Sequence, residues 1–173
     1  MRRGMKKTAS PRRPYKELYT LEVCIISGPI TRGFARKNRA ICRTIQIRGD
    51  QTLHHLHSAI FNAFDREEEH MYEFQVGGKG PMDPKARKYV LPMALNDPFS
   101  EDKPSGAVTR TTIGSLGLKV GDAFGYWFDF GDDWRHQINV AAVVRGVPRG
   151  KYPKVTKRVG KSPPQYVDWD AEG

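Results

Sequence analysis

The sequence predicts an α+β fold: a mixed or antiparallel sheet of four to five strands with one main helix packed on it, in a β-grasp-like β-β-α-β order followed by a hairpin. Three observations carry that prediction. Apolar and polar residues alternate in five separate stretches, a single stretch has the 3.6-residue period of an amphipathic helix, and Gly-Pro, Gly-Asp or Gly-Gly pairs stand between them. A chain of 173 residues with 38% hydrophobic and 28% charged side chains is long enough for one domain with a real core. We therefore read residues 17–170 as a single domain behind a basic tail, residues 1–16.

In chain order, Tyr19, Leu21, Val23 and Ile25 are apolar while Thr20, Glu22 and Cys24 interleave, the pattern of a half-buried strand that Gly28-Pro29 stops. A basic connection, residues 31–39, leads to Ile41, Arg43, Ile45 and Ile47, which alternate with Cys42, Thr44 and Gln46 in a segment rich in β-branched residues. These two strands are expected to pair antiparallel. After Gly49-Asp50 the period changes, and Leu53, Leu56, His57, Ile60, Ala63 and Phe64 fall on one helix face, with Asp50 or Thr52 as its cap. Tyr72, Phe74 and Val76 mark a third strand, ended by Gly77-Gly78. Residues 79–112 hold five prolines and read as a long irregular connection with a short strand at 89–91; residues 113–118 read as a short helical turn.

Phe124, Tyr126, Phe128 and Phe130, then Trp134, His136, Ile138 and Val140, alternate on either side of residues 131–133 and form a hairpin. A three-residue loop would pair 130 with 134, 128 with 136 and 126 with 138. That register puts the aromatic set, Trp134, His136 and Ile138 on one face and Asp129 across from Arg135. Residues 151–173 read as an extended or turn-rich segment packed through Tyr152, Tyr166 and Trp169.

The net charge of +10 is concentrated: residues 1–16 carry Arg2, Arg3, Lys6, Lys7, Arg12, Arg13 and Lys16 without an acid, which leaves the body at +3. With so few apolar residues the tail cannot offset its ordering entropy and is expected to be disordered. Its Arg2, Arg3, Lys6, Lys7, Arg12 and Arg13 are candidate nucleic-acid contacts through counterion release. No stretch approaches the roughly 20 apolar residues of a membrane-spanning helix, and the tail has no apolar region of a secretory signal. A soluble, cytoplasmic protein without a membrane partner is expected. Cys24 and Cys42 are too few for a disulfide framework, lack CxxC spacing and have no matching Cys/His cluster, which fits a reducing compartment.

Several motifs together carry a family resemblance. They are Thr52-Leu53 with Leu56-His57 and Ile60, Ala63-Phe64, and His70 with Tyr72 and Phe74; then Tyr126 with Phe128-Asp129-Phe130-Gly131-Asp132, Trp134 and His136; and late Tyr152-Pro153, Gly160 and Pro163-Pro164. Over about residues 15–170 the chain resembles the plasmid pRiA4b ORF-3-like family, some of whose members are labelled insertion-element passenger or TnpR resolvase proteins. The family is biochemically uncharacterised, so the resemblance implies a domain type and not an activity. Many members carry a cysteine pair near the late Gly and Pro-Pro positions, where this chain has Val155 and Ser162; no metal or redox role of that pair transfers. The resolvase label would need a serine nucleophile backed by arginines and a DNA-binding helix pair. Ser10 in the tail, Ser27 at a strand end and Ser58 in the helix lack that support, and the label is not carried over.

Three histidines on those motifs, His57, His70 and His136, are the clearest pointer to a site. His57 stands on the apolar stripe of the helix and His136 on the aromatic face of the hairpin, so helix-on-sheet packing would bring them towards each other. Neutral imidazoles beside a carboxylate suit a divalent transition metal, with His57, His136 and Asp132 as ligands. They equally suit general acid and base catalysis by His57, His70, His136 and Asp129. The competing reading is core histidines hydrogen-bonded to a carbonyl or carboxylate, and an acidic loop at 129–133 that is simply a turn. His54-His55 with His57 is not the HExxH zinc-protease arrangement, and Gly77-Gly78-Lys79-Gly80 lacks phosphate-loop spacing.

Aromatic residues beside cations recur at Tyr126, Trp127, Phe128, Trp134 and Arg135, and at Lys151, Tyr152, Lys154, Lys157, Arg158 and Lys161. Such a surface suits single-stranded bases, although the alternation leaves Trp127 as the outward aromatic of its strand. The sequence thus points first to a binding or accessory module associated with nucleic acid or mobile elements. The alternative is a metal-dependent enzyme with a histidine-lined site.

Overall fold

The computed structural model describes residues 16–172; apart from Lys16, the tail expected to be disordered lies outside the described residues. In chain order the elements are β1 (Glu17–Ser27), α1 (Arg32–Lys37), β2 (Cys42–Arg48), α2 (Leu53–Ala63), β3 (Tyr72–Val76), β4 (Arg87–Val90), β5 (Gly106–Ala107), β6 (Ala123–Phe128), β7 (Trp134–Arg145) and β8 (Lys154–Val159). Among the described residues, eight strands form one sheet in the order β5-β4-β3-β6-β7-β1-β2-β8. Every neighbouring pair is antiparallel except β4 with β5.

The four-to-five-strand, β-grasp-like sheet is therefore corrected to an eight-stranded mixed sheet, although a single main helix does pack on it. The strands that extend it lie at its two edges. β4 and β5 come from the proline-rich connection, and β8 comes from a stretch in which every residue but the half-buried Val155 is exposed. Main-chain pairing holds these strands in place, and an edge strand open to solvent has little need of apolar alternation. The basic connection also has structure: Thr31 caps the short α1 by accepting from the Phe34 N–H at 3.1 Å.

One face of the sheet packs against α2, which buries Leu53, Leu56, His57, Ile60 and Ala63. These join Leu21, Val23, Ile45, Phe74, Phe124 and Ile138 from the strands in one apolar core. Thr52 caps α2 in a reciprocal box in which His55 supplies the second acceptor: the Thr52 N–H donates to His55 Nδ1 at 3.0 Å and the His55 N–H to Thr52 Oγ1. Arg43, at a core-facing position of β2, is 2% exposed. Its Nε donates to the Ala63 carbonyl at 2.8 Å, its Nη1 to those of Cys42, Val159 and Gly160, and its Nη2 to Ser162 Oγ at 3.0 Å. One guanidinium thus ties the end of α2 to β8 and the chain beyond it.

The hairpin pairs Phe128 with Trp134, Tyr126 with His136 and Phe124 with Ile138, so the expected register is corrected by two residues. Because the shift is even, the side chains keep their faces, and Phe124, Tyr126, Phe128, Trp134, His136 and Ile138 are all buried. Phe130 falls instead within a five-residue loop, 129–133, and is 39% exposed. Asp129 and Asp133 there take positive φ, and the Asp133 N–H closes the turn on the Asp129 carbonyl at 2.7 Å. Arg135 consequently meets Asp133, at 2.8 Å, and not Asp129.

Two further expectations change. Tyr166 and Trp169 are exposed, and the late segment docks instead through buried Pro163 and Gln165. The Gln165 amide accepts from the Glu67 and Glu68 N–H groups and donates to the Glu68 carbonyl. Cys24 and Cys42 face each other across β1 and β2 and are joined by a disulfide, which removes the support that their number and spacing gave to a reducing compartment. Among the described residues no helix is long and apolar enough to cross a membrane.

A Cβ at Gly28 would fall inside van der Waals contact of the buried Trp134 ring. Gly28→Ala is expected to lower stability by about 1–3 kcal/mol, read as a lower urea midpoint at unchanged m-value; an unchanged midpoint would show that this packing is looser than described.

Candidate functional site

Tyr126 is the hub of the histidine cluster. β6 points its ring into the core, where the hydroxyl donates to His57 Nδ1 at 2.7 Å. His57 Nε2–H then donates to Glu69 Oε2 at 2.9 Å, which fixes the tautomer. The main-chain carbonyl of the same tyrosine accepts from His136 Nδ1 at 3.2 Å, and the His136 ring lies 4.9 Å from the phenol ring. Tyr72 stacks parallel on His57 at 3.7 Å and its hydroxyl meets His54 Nδ1 at 2.9 Å. His54 is exposed yet tethered by that bond.

The three singled-out histidines therefore share aromatic neighbours and do not share a ligand position. His57 sits at the hydroxyl end of Tyr126 and His136 beside its ring and main chain, each 1% exposed. His70 lies further out, bonded to the Tyr166 hydroxyl at 2.8 Å and 3.4 Å from Asp129 Oδ2, with its ring edge-on to Phe128. Asp132 belongs to the turn, its N–H donating to Asp129 Oδ1 at 3.2 Å. The trio of His57, His136 and Asp132 is not brought together, and among the described residues no three His, Cys, Asp or Glu side chains are placed to hold one metal ion.

Burial dominates the electrostatics here. It lowers the His57 pKa, against the pull of Glu69, and pushes His136 down to about 3, with the positive charge of Arg66 adding to the effect. Arg66 is itself only 7% exposed. Its guanidinium lies 3.8 Å over the Trp134 ring and burial pushes its pKa down to about 10. Both imidazoles are thus neutral and hydrogen-bonded, which makes the cluster a polar lock within an aromatic core.

The charged surface lies elsewhere. α1 and the residue pair beyond it present Arg32, Arg36, Lys37 and Arg39, and the stretch around β8 presents Arg149, Lys151, Lys154, Lys157, Arg158 and Lys161. All ten are exposed, and neither segment, 31–39 or 149–161, contains an acid. The Lys161 N–H donates to Asn38 Oδ1 at 2.8 Å, which holds the end of β8 against the end of α1. Among the described residues, Arg158 alone of these ten is paired with a carboxylate, Asp65 at 3.9 Å. Beside this corner, the sheet face away from α2 carries half-buried Thr20, Cys24, Cys42, Thr44, Gln46, Gln137 and Asn139 and exposed Glu22.

Sequence reading found the cations of 151–161 but did not join them to those of α1. The signal was available as two acid-free cationic runs; what joins them is the placement of β8 at the sheet edge. The candidate contacts Arg2, Arg3, Lys6, Lys7, Arg12 and Arg13 lie outside the described residues.

Fold and cluster together define an α+β domain in which a single helix locks onto one face of a broad sheet through an aromatic-histidine core. A family model described as plasmid pRiA4b ORF-3-like protein matches residues 33–169, and the chain belongs to that family. Among solved structures it is similar to a protein of unknown function, MM3350 from Methanosarcina mazei Go1. The TM-score is 0.63 at 22% identity, over 87% of this chain and 74% of that one; this likeness shows the fold. No curated protein matches the chain.

The lowered His136 pKa gives a signed pH dependence. The unfolded chain binds a proton near the ordinary value of 6.5, whereas the folded protein resists it until about 3. Stability is therefore full above 6.5 and is lost as pH falls from there towards 3, by up to ~1.4 kcal/mol per pH unit from this group. Urea midpoints measured between neutral and acid pH should fall in the wild type and fall less steeply in His136→Gln; equal slopes would mean that His136 is not held neutral.

Proposed function

We propose that this protein is a nucleic-acid-binding module that grips the phosphate backbone along the cationic corner made by α1 and β8. The observation that carries this reading is the set of ten exposed cations on two adjoining segments, 31–39 and 149–161, without one acid in either. Lysines on an edge strand also discourage edge-to-edge pairing. That role accounts for Lys154 and Lys157 and leaves the four cations of α1 and its flank unexplained. A phosphate backbone accounts for both groups, because each neutralised phosphate releases a counterion. The basic arm, residues 1–16, adds seven more cations to the same protein and suits the same partner.

Fluorescence anisotropy with a labelled oligonucleotide over a range of salt concentrations tests the reading. Apparent affinity should fall linearly with log salt. Combining Arg32→Gln, Arg36→Gln, Lys154→Gln and Lys157→Gln should weaken binding roughly tenfold or more at low salt and flatten the slope by about 0.7–0.9 per lost phosphate contact. Removal of residues 1–16 should flatten it further. An unchanged affinity and slope in the four-site variant would contradict the reading.

A further inference from the structure

We propose that Trp127 and Phe130 form a base-stacking platform that makes single-stranded nucleic acid the preferred ligand of this surface; the proposal rests on the nucleic-acid reading above. Trp127 is the one aromatic of β6 that alternation turns away from α2. It is held in place, because its Nε1–H donates to Asp133 Oδ1 at 2.8 Å, and the same carboxylate oxygen accepts from Arg135 Nε at 2.8 Å. Arg135, its cross-strand partner on β7, thus sets a cation beside the indole and offsets the charge of Asp133. Phe130, pushed out of the sheet by the five-residue turn, lies against the indole with ring centroids 4.2 Å apart and an interplanar angle of 32°. A pair of rings fixed this way has already lost its rotamer freedom, the condition under which a stacked base adds most affinity.

Strand register connects the platform to the cationic corner. Trp127 pairs with Arg135 and Arg135 with Ser27, while one step along the sheet Gln137 pairs with Cys24, Cys24 with Cys42 and Cys42 with Val159 of β8. Trp127 and β8 are therefore four strand intervals apart at the same end of the sheet, ~19 Å at ~4.8 Å each, across the face opposite α2. Ile26 and Val159, 52% and 38% exposed, lie at that end too. A strand whose phosphates follow Lys154 and Lys157, which register sets on this face beside Gln46 and Thr44, can lay bases across it onto the rings. A duplex keeps its bases stacked inside and offers the rings nothing to stack on, so the aromatic pair distinguishes the two forms. Ten of the 22 cations of the body lie at this corner, with no acid in either segment, and that charge favours nucleic acid over a second protein as the occupant.

The test compares a labelled oligothymidylate with a duplex of the same length, using the full chain. The wild type should bind the single strand more tightly, and Trp127→Ala should cost roughly tenfold in single-strand affinity with little change for the duplex. Trp127→Phe should recover most of that loss. Phe130→Ala, on an exposed loop, gives the same readout without touching the sheet, and fluorescence quenched on binding in the wild type should be lost in Trp127→Phe. If the four-site cation variant weakens binding while Trp127→Ala and Phe130→Ala leave single-strand affinity unchanged, the platform is overturned and the nucleic-acid reading stands. If neither set of variants matters, both fall. Self-association abolished by Trp127→Ala, without an effect on oligonucleotide binding, would also overturn the platform in favour of a protein interface.

Discussion

One helix must cover a sheet far wider than itself. α2 has eleven residues and is ~16 Å long at ~1.5 Å per residue, whereas eight strands span ~34 Å at ~4.8 Å per interval. The remaining apolar surface is closed by pieces that are not helices. The turn at Ile113–Leu116 buries Ile113 and Leu116, the chain after α2 lays Arg66 over Trp134, and the late segment docks through Gln165. Arg43 then joins the end of α2 to β8 and to Ser162. With α2 on one face, the other face from β6 to β8 presents half-buried polar side chains among the described residues, and the surface read as a binding site is that face with its cationic corner.

Within the core, position depends on hydrogen bonds as much as on area. Tyr126 receives α2 through His57 and β7 through His136, and both imidazoles stay neutral because burial disfavours their charged forms. The His57 bond fixes where the helix sits along the sheet, since sliding α2 by one turn would strand the buried His57 Nδ1 and the Tyr126 hydroxyl. Of the histidines that suggest chemistry in the sequence, His57 places the helix and His136 ties β7 to β6, and the residues open to a partner are the cations and Phe130, with the half-buried Trp127 against it.

The parts of the fold legible in sequence were those written in apolar periodicity. The stripe from Leu53 to Ala63, the alternation through β1, β2, β3, β6 and β7, and the inward faces of His57 and His136 all follow from it. What periodicity does not encode went unread. β8 has one half-buried apolar residue, Val155, and is placed by main-chain pairing with β2. The hairpin loop closes through Asp129 and Asp133 at positive φ, conformations available to Asp, so Phe130 left the core while its neighbours kept their faces. The Cys24–Cys42 disulfide depended on the register of two strands, which residue spacing does not set. The candidate site was half legible for the same reason: its cations could be counted, but their meeting at one corner is a property of strand order.

Amide hydrogen exchange of the protein with and without a saturating oligonucleotide tests the central claim most directly. Slowed exchange is predicted across α1, β8 and the adjoining ends of β1 and β2, with α2, β4 and β5 unchanged. Slowing confined to α2 and the residues around Glu69 and His70, or found nowhere, would contradict it.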